Sequence, residues 1–253
     1  MSAPCYVAEF AVEATVPGTT IELTGKEGHH AATVRRTRVG ERIDLVNGTG
    51  GRLQCDVAAV DRGSLLLNVC AAQAEPQPDP KIVLIQALAK GGRDEQAVET
   101  STEFGVAGIV PWQAERSIAT WRGKEDKGRT RWQDTAIAAA KQSRRAWIPD
   151  VAFPLSSDGV ASLLASGIAS GAVAAICHEE AVTPLTSAVD LTAGQKVFVV
   201  VGPEGGITPH ERDLFEEAGA TTCLLGPHVL RSATAGPYAI ATLMASRSLG
   251  PLD

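Results

Sequence analysis

After residue 80 the chain alternates short apolar runs with segments of helical periodicity, and few folds accommodate that order. Lys81 to Leu88 is an apolar run suited to a strand buried on both faces. Further core strands are predicted at 107–112, 173–177, 196–201 and 221–225, and helices at 94–104, 130–145, 208–219 and 234–249. Thr208 to Glu211 forms a capping box with proline at the first helical position. The alternation predicts an α/β domain with a mainly parallel sheet.

A proline-rich linker over residues 76–80 separates this domain from an N-terminal part of different character. Prolines at three of these five positions cannot continue a helix or a central strand. Before the linker, short alternating segments and tight-turn signals such as Asn47 to Gly51 predict a small β-barrel or sandwich. A short helix at 29–36 is expected to lead into it. We therefore predict a β-barrel domain at 1–75, a linker at 76–80 and an α/β domain at 81–253.

Composition argues against several other classes of protein. No run of about 18 apolar residues is present, so we expect no membrane span, and Met1 to Phe10 lacks the features of a secretory signal. The five cysteines are dispersed without a Cys-x-x-Cys pair, which is typical of reduced thiols in the cytoplasm. The histidines show no metal-ligand spacing and no serine lies in a G-x-S-x-G motif. We therefore predict neither a metal site nor a hydrolase triad.

The distribution of charge matters more than its total, which is −6. Residues 116–145 contain nine basic and three acidic residues, and a smaller basic group contains Arg35, Arg36, Arg38 and Arg42. Binding to phosphates needs a local positive surface rather than a basic protein. A solvated helix face would give the same pattern, so charge alone leaves both interpretations open.

Three polar loops follow predicted strands of the α/β domain. They are Cys177 to Glu180, Gly202 to Gly206 and Gly226 to Gly236. In an open parallel sheet, ligands bind at the carboxyl ends of the strands, and glycine allows a close approach of the backbone. Neither glycine loop is a G-x-G-x-x-G or a phosphate loop, so a dinucleotide or ATP site is not indicated. A tight strand-to-helix turn would also explain the second loop, whereas the third carries more polar detail than a connector requires.

Several stretches, spread over nearly the whole chain, resemble the RsmE family of SPOUT-class methyltransferases. Their order and spacing are specific, although no single motif is decisive. The similar stretches are His29 to Arg36, Gly40, Asn47-Gly48, Thr102 to Val106, Ile109 to Pro111, Glu115 to Ser117, Ala140 to Arg145, Ile148-Pro149, Val201 to Gly206 and Leu224 to Ala235.

The resemblance implies methylation of N3 of a uridine in 16S rRNA of the small ribosomal subunit, at the position usually numbered U1498, with S-adenosylmethionine as the methyl donor. It also implies a trefoil knot in the C-terminal domain, a PUA-like N-terminal barrel that helps to grip RNA, a homodimer and a cytoplasmic location. The cofactor-binding residues that it implies are His178, Val200, Gly202, Gly205, Gly206, Leu225, Gly226, Val229, Leu230, Ser232 and Thr234.

Catalytic candidates follow from the chemistry of uracil. N3 is a weak nucleophile until its proton leaves, and negative charge then grows on O2 and O4. Arg231 is a candidate for stabilising that charge, although a phosphate contact or an ion pair with Glu204 would also suit it. Glu204 is a candidate proton acceptor, with a structural role favoured. The candidate RNA-binding residues are Arg35, Arg36, Arg38, Arg116, Arg131, Arg144 and Arg145.

Three alternatives stay open. Ala233 stands where many relatives have an acidic residue, so any catalytic role of that carboxylate is absent here. The first alternative is therefore a non-catalytic RNA-binding or ribosome-assembly factor with the same fold. The second is a SPOUT methyltransferase that acts on another nucleoside or on the ribose. The third is a nucleotide-dependent doubly wound enzyme, for which residues 87–92 are only a faint phosphate-loop candidate.

Overall fold

The computed structural model describes residues 3–191 and 194–249, so the predicted domain bounds at residues 1 and 253 lie outside the described residues. The chain divides into two compact units. The first unit contains the chain up to residue 77 together with residues 140–148, and the second contains residues 78–139 and the chain from residue 149 onward.

The first unit is built on a five-stranded sheet in the order β1-β3-β4-β5-β2. Its strands are β1 (Cys5–Val7), β2 (Thr20–Leu23), β3 (Arg42–Val46), β4 (Gly51–Asp61) and β5 (Ser64–Ala74). β1 runs parallel to β3, and the other pairings are antiparallel. A 3₁₀ turn lies at Val12–Ala14, and α1 (Gly25–His29) continues into a π-helical turn at His30–Val34. The helix predicted at 29–36 therefore starts earlier than expected.

Alternation along the two long strands builds the core of this unit. Leu53, Cys55 and Val57 of β4 are at most 2% exposed, as are Leu65, Leu67 and Val69 of β5. Side chains two positions apart share one face of a strand, so these six residues pack on one side of the sheet. Burial of each larger aliphatic side chain contributes about 1.5–3 kcal/mol before the entropy of ordering is subtracted.

The second unit contains a seven-stranded sheet in the order β12-β10-β11-β6-β7-β8, with β9 also paired to β7. All its pairings within the described residues are parallel, which confirms the predicted α/β class. The strands are β6 (Lys81–Ala87), β7 (Gly108–Gln113), β8 (Asp150–Val151), β9 (Leu155–Ser156), β10 (Val173–Cys177), β11 (Lys196–Val201) and β12 (Thr221–Cys223).

Helices cover both faces of this sheet. They are α2 (Arg93–Glu103), α3 (Glu125–Gln142), α4 (Ser157–Ala169), α5 (Leu185–Ala188), α6 (Pro209–Glu217) and α7 (Ser232–Leu249). Ile82 and Leu84 of β6 pack in a core cluster that includes residues of α2 and α7, such as Val98 and Ile240. Ile85 of the same strand packs in a second cluster with residues of α4 and α6. Because the strands are parallel, their carboxyl ends share one edge. The predicted knot stays a prediction.

Residues 140–148 pack in the first unit, whereas the sequence places them inside the domain at 81–253. Trp147 Nε1 donates to the Glu75 carbonyl at 3.1 Å, and a Cβ at Gly50 would lie 2.5 Å from the indole. Lys141 Nζ donates to both carboxylate oxygens of Glu27, at 2.6 and 2.8 Å. The partners of Trp147 and Lys141 lie 72 and 114 residues away, a separation that local periodicity does not reveal. No helix in the described ranges is both long and apolar enough to cross a bilayer.

Candidate active site

The three loops predicted from the sequence converge on one cavity of about 610 Å³ at the carboxyl edge of the parallel sheet. A smaller cavity of about 60 Å³ shares Cys177, His178 and Val229 with it. The wall of the larger cavity combines the ends of β10 and β11, the start of α7 and four arginines, of which Arg231 belongs to the third loop. These lining residues are Cys177 to Glu180, Val201 to Pro209, Val229 to Ser232, Ala235, Arg93, Arg116 and Arg212.

Most of the predicted cofactor-binding residues line these two cavities. Leu225 and Gly226 line the smaller one, and the larger one is lined by His178, Gly202, Gly205, Gly206, Val229, Leu230 and Ser232. Two predicted positions line neither cavity. Val200 is 0% exposed and packs in the core beneath α4 and α6, because its side chain points away from the loop edge. Thr234 lies exposed in the first turn of α7.

The glycines of the Gly202–Gly206 loop are needed for packing within the protein. A Cβ at Gly202 would lie 2.6 Å from Ile207 Cγ1, and one at Gly205 would lie 3.0 Å from Arg116 Cβ. Gly206 has φ of +76°, where residues with a side chain are strained. Arg116 Nη1 also donates to the Gly205 carbonyl at 3.1 Å. The loop is therefore a tight turn whose shape is set by Ile207 and Arg116.

A buried hydrogen-bond chain joins the second and third loops to the end of β6. Gln86 Nε2 donates to Ser232 Oγ at 2.9 Å, and Ser232 Oγ donates to the Gly202 carbonyl at 2.8 Å. Gln86 is 0% exposed, and its Oε1 has no partner within the described residues. Sequence reasoning missed Gln86, whose only signal was an uncharged polar residue in an otherwise apolar strand.

Arg231 and Glu204, the two catalytic candidates, both line the larger cavity. Glu204 accepts a hydrogen bond from Arg93 Nη1 at 2.8 Å, so the ion pair that the structure gives Glu204 is with Arg93 rather than with Arg231. Burial opposes the charge on Glu204, yet the hydrogen bond from Arg93 prevails and holds its pKa below the ordinary value. Glu204 is thus ionised at neutral pH and is a weak base. Arg231 is exposed at the start of α7.

The capping box predicted at Thr208 to Glu211 is confirmed, and Glu211 also accepts hydrogen bonds from groups outside the cap. Thr208 Oγ1 accepts from the Glu211 amide at 3.2 Å, and Glu211 Oε2 accepts from the Thr208 amide at 3.0 Å. Glu211 Oε1 accepts from the Glu115 amide and from Ser157 Oγ, each at 2.8 Å. This carboxylate therefore fastens the residue before Arg116 to the loop that follows β11. The faint phosphate-loop candidate at 87–92 does not line the cavity.

The predicted RNA-binding arginines fall into two groups. Arg35, Arg36, Arg38, Arg144 and Arg145 belong to the first unit, and Arg116 and Arg131 to the second. Arg35, Arg36 and Arg38 are exposed and form no ion pair within the described residues. Arg131 is bound to Glu95 at 3.0 Å. Burial lowers the pKa of Arg145 to about 10, which leaves it charged at neutral pH.

Two of the predicted RNA-binding arginines adopt an unusual backbone conformation. Arg36 and Arg144 have φ of 57° and 58°, and they are the residues other than glycine with positive φ in the described chain. Strained residues of this kind cluster at functional sites.

Within residues 3–191 and 194–249, no three His, Cys, Asp or Glu side chains are grouped as a metal ion would require.

Comparison with known proteins identifies the two units. A family model described as an RNA methyltransferase domain matches residues 75–244, and one described as an RNA methyltransferase PUA domain matches residues 23–70. Ribosomal RNA small subunit methyltransferase E of Mycobacterium bovis is 41% identical over 226 residues, which cover 88% of this chain and 85% of the relative. The protein of the same name from Bacillus subtilis is 29% identical over 246 residues, with 94% of each chain covered.

A solved structure gives the same result. Ribosomal RNA small subunit methyltransferase E of Neisseria gonorrhoeae, bound to S-adenosylmethionine, superposes with a TM-score of 0.84 at 27% identity. The match covers 96% of this chain and 98% of that one. The domain match and the identity to the mycobacterial relative extend over most of the chain. The chain belongs to the ribosomal RNA small subunit methyltransferase E family, whose RNA methyltransferase domain follows a PUA domain.

Proposed function

We propose that this enzyme transfers a methyl group from S-adenosylmethionine to N3 of one uridine in 16S rRNA, the position usually numbered U1498. The observation that carries the proposal is the convergence of three loops and Arg231 on one cavity at the carboxyl edge of the parallel sheet. The names of the relatives support a substrate in the small ribosomal subunit. The finer assignment to N3 rests on the resemblance of the motifs to those of the RsmE family.

The cavity suits this methyl donor in size and in chemistry. Its volume of about 610 Å³ falls within the range of roughly 300–1,000 Å³ that is usual for sites of small ligands. The donor has an amino-acid end of both charges, a cationic sulfonium and an adenine. The cavity offers carboxylates at Glu179 and Glu180, a guanidinium at Arg212, and apolar surface at Val229 and Leu230. These residues would hold the donor.

The residues of this chain act mainly by position and by charge. S-adenosylmethionine supplies an electrophilic methyl group when it is bound. Most of the barrier reduction then comes from alignment of the nucleophile with that group. Arg231 stabilises the negative charge on uracil O2 and O4 as the N3 proton leaves. Glu204 keeps its charge and its ion pair with Arg93, so we assign it to ordering the loop rather than to proton transfer.

The base must be accessible at the edge that normally pairs. N3 lies on that edge, so the target uridine reacts only when it is unpaired or flipped. Exposed Arg35, Arg36 and Arg38 of the first unit are suited to hold phosphates of the same RNA. Arg116 serves in the wall of the cavity, where it holds the Gly205 carbonyl.

We also infer that the protein is a homodimer whose two copies contact each other near this site. We infer a cytoplasmic location, because the rRNA substrate is made there. Val229 of the third loop is 78% exposed and Tyr238 of α7 is 45% exposed. Both are close in sequence to Arg231, and apolar surface of this kind is suited to contact with a second copy. Sedimentation velocity of the purified protein measures the assembly directly, and a monomer at micromolar concentration would contradict it.

Methyl transfer itself decides the proposal. Purified small subunits and free 16S rRNA are incubated with the protein and labelled S-adenosylmethionine, and the nucleosides are separated by mass spectrometry. We expect 3-methyluridine at one position. A different methylated nucleoside would point to another SPOUT specificity. Donor binding and RNA binding without transfer would favour the non-catalytic assembly factor, to which Ala233, 6% exposed and without a carboxylate, lends support.

A further inference from the structure

Two cysteines end neighbouring strands of the parallel sheet at the same level. Cys177 is the last residue of β10, Cys223 is the last residue of β12, and the two are partners in the strand register. Neighbouring strands lie about 4.8 Å apart, within the span of about 4.4–6.8 Å between Cα atoms that disulfides bridge. Both thiols are reduced in the structure. A small movement of the strand ends is enough to join them.

The two thiols interact directly. The hydrogen bond between them, reinforced by burial, raises the pKa of Cys177 well above its usual range, and the same hydrogen bond lowers the pKa of Cys223 against the effect of burial. The pair therefore loses one proton more readily than an isolated thiol and retains the other. A thiolate is the form of cysteine that attacks oxidants.

The pair lies at the wall of the candidate active site. Cys177 is partly exposed and lines both cavities, whereas Cys223 is 0% exposed and lies behind it. The amide of His178 donates to the Cys223 carbonyl at 3.0 Å, so the loop after β10 is anchored on the second cysteine. An oxidant that enters the larger cavity reaches Cys177 first, and because the two coupled thiols ionise as one unit, Cys177 attacks it as the thiolate while Cys223 holds the remaining proton.

We propose that Cys177 and Cys223 form a reversible disulfide when a peroxide oxidises the protein, and that this disulfide and the methyl donor exclude each other. The identity of the donor rests on the function proposed above. One thiolate attacks the O–O bond of the peroxide, which gives a sulfenic acid and hydroxide. The second thiol attacks that sulfur, the S–O bond breaks, and the oxygen leaves as water with the remaining protons. Two thiols and hydrogen peroxide thus yield one disulfide and two waters.

Exclusion follows from the geometry of the bond. A disulfide needs its Cβ atoms about 3.8 Å apart, closer than in-register side chains of neighbouring strands lie. Closing the bond draws the ends of β10 and β12 together. It thereby displaces His178 and Leu225, which line the smaller cavity. Because coupling between two sites is reciprocal, a bound donor must disfavour the disulfide as much as the disulfide disfavours the donor.

The test uses the full-length protein, hydrogen peroxide as the oxidant and S-adenosylhomocysteine as the competing ligand. Non-reducing digestion and mass spectrometry should find a peptide that links Cys177 to Cys223. We expect saturating S-adenosylhomocysteine to slow its appearance at least fivefold. Calorimetry should show donor affinity falling at least tenfold after oxidation and returning with dithiothreitol. The Cys70→Ser variant, which alters an exposed cysteine of the first unit, should behave like the parent.

The Cys177→Ala variant is the control for oxidation elsewhere in the protein. It cannot form the linkage and leaves only the buried Cys223 of the pair, so its donor affinity, whatever the starting value, should not change with peroxide treatment. The proposal is overturned if the link fails to form while Cys70 is oxidised, or if it forms and donor affinity is unchanged. If the untreated protein binds no donor, the proposed function fails, whereas the mapped link still decides whether the cysteines pair.

Discussion

Ser232 Oγ donates a hydrogen bond of 2.8 Å to the carbonyl oxygen of Gly202, and this contact fastens the third loop of the cavity to the second. The same hydroxyl accepts from Gln86 Nε2, so the two loops are tied to the end of the central strand β6. The two side chains are shielded from solvent, since Ser232 is 7% exposed and Gln86 is 0% exposed. One hydroxyl therefore joins two loops of the cavity to the central strand.

We expect Ser232→Ala to weaken donor binding by about tenfold to a hundredfold. The change removes the hydroxyl that donates to the Gly202 carbonyl and one of the two acceptors of Gln86 Nε2, which keeps the Ala87 carbonyl, at a cost of about 1–3 kcal/mol. Calorimetry with S-adenosylmethionine measures the loss. Ser246→Ala is the matched control, because Ser246 Oγ donates to the Leu243 carbonyl at 2.9 Å in the same helix, outside the cavity. Equal affinities of the two variants would contradict a role for Ser232 in holding the loops.

Arg231→Ala should lower the rate of methyl transfer by about 10²–10³, the usual loss when one charge-stabilising donor is removed. We expect its affinity for S-adenosylmethionine to change by less than about threefold, because the guanidinium acts on the uracil oxygens. Single-turnover kinetics with small subunits measures the rate, and calorimetry measures the affinity. Arg231→Lys should restore part of the rate, since it keeps the charge without the planar fork.

The control is Arg62→Ala, which removes an exposed arginine at the turn between β4 and β5. It should keep the rate of the parent. If Arg231→Ala also turns over normally, Arg231 has no part in the chemistry and the loop serves the donor alone.

The parallel sheet could be predicted from the sequence because its strands are continuous apolar runs, as at Lys196–Val201 and Val173–Cys177, whose bounds are confirmed. Helix α4 was missed. Its residues are mostly small, and Gly159 and Gly167 lower its helix propensity. Gly167 is explained only by tertiary packing, since a Cβ there would overlap the Phe198 ring. Helix α3 also ends earlier than predicted, because Arg144 just beyond it adopts φ of 58°.

The positions of the loops at the site could be predicted from the sequence, whereas the hydrogen bonds and ion pairs that hold these loops could not. Glycines and isolated polar residues after core strands indicated where a ligand binds. The partners that shape the loops lie far away in the chain, as Gln86 does from Ser232, at 146 residues, and Arg93 from Glu204, at 111. Local patterns carry no information about such pairs. The sequence therefore located the cavity, whereas the ion pair of Glu204 became apparent only from the fold.

RNA binding should depend on the local charge of the first unit. Each phosphate contact that is lost lowers the slope of log affinity against log salt by about 0.7–0.9. The double variant Arg35→Glu/Arg38→Glu changes two exposed arginines and should weaken binding of 16S rRNA and flatten this slope by about 1.4–1.8. Filter binding from low to high salt measures both. The double variant Arg122→Glu/Lys124→Glu changes the net charge equally, and an identical response would show that only total charge matters.

The contact between His210 and Glu115 should give a measurable pH dependence. His210 Nδ1 lies 3.0 Å from Glu115 Oε1; that hydrogen bond raises the pKa of His210 above 6.5 and lowers the pKa of Glu115 below 4.5. The raised pKa of His210 contributes its full stabilisation of the fold below pH 6.5. This stabilisation is lost as the pH rises through the pKa of His210 in the folded protein. The lowered pKa of Glu115 stabilises the fold at pH above 4.5. This stabilisation is lost as the pH falls through the pKa of Glu115 in the folded protein.

Proton NMR titration of the His210 ring tests this directly. We expect a pKa above 6.5 in the parent and a lower value in Glu115→Gln, in which the carboxylate is gone while the side chain keeps its shape. Glu103→Gln, at the exposed end of α2, is the control and should leave the titration of His210 unchanged. A His210 pKa that is the same in the parent and in Glu115→Gln would show that the two side chains do not interact in solution. Their contact would then contribute nothing to holding α6 against the loop that contains Arg116.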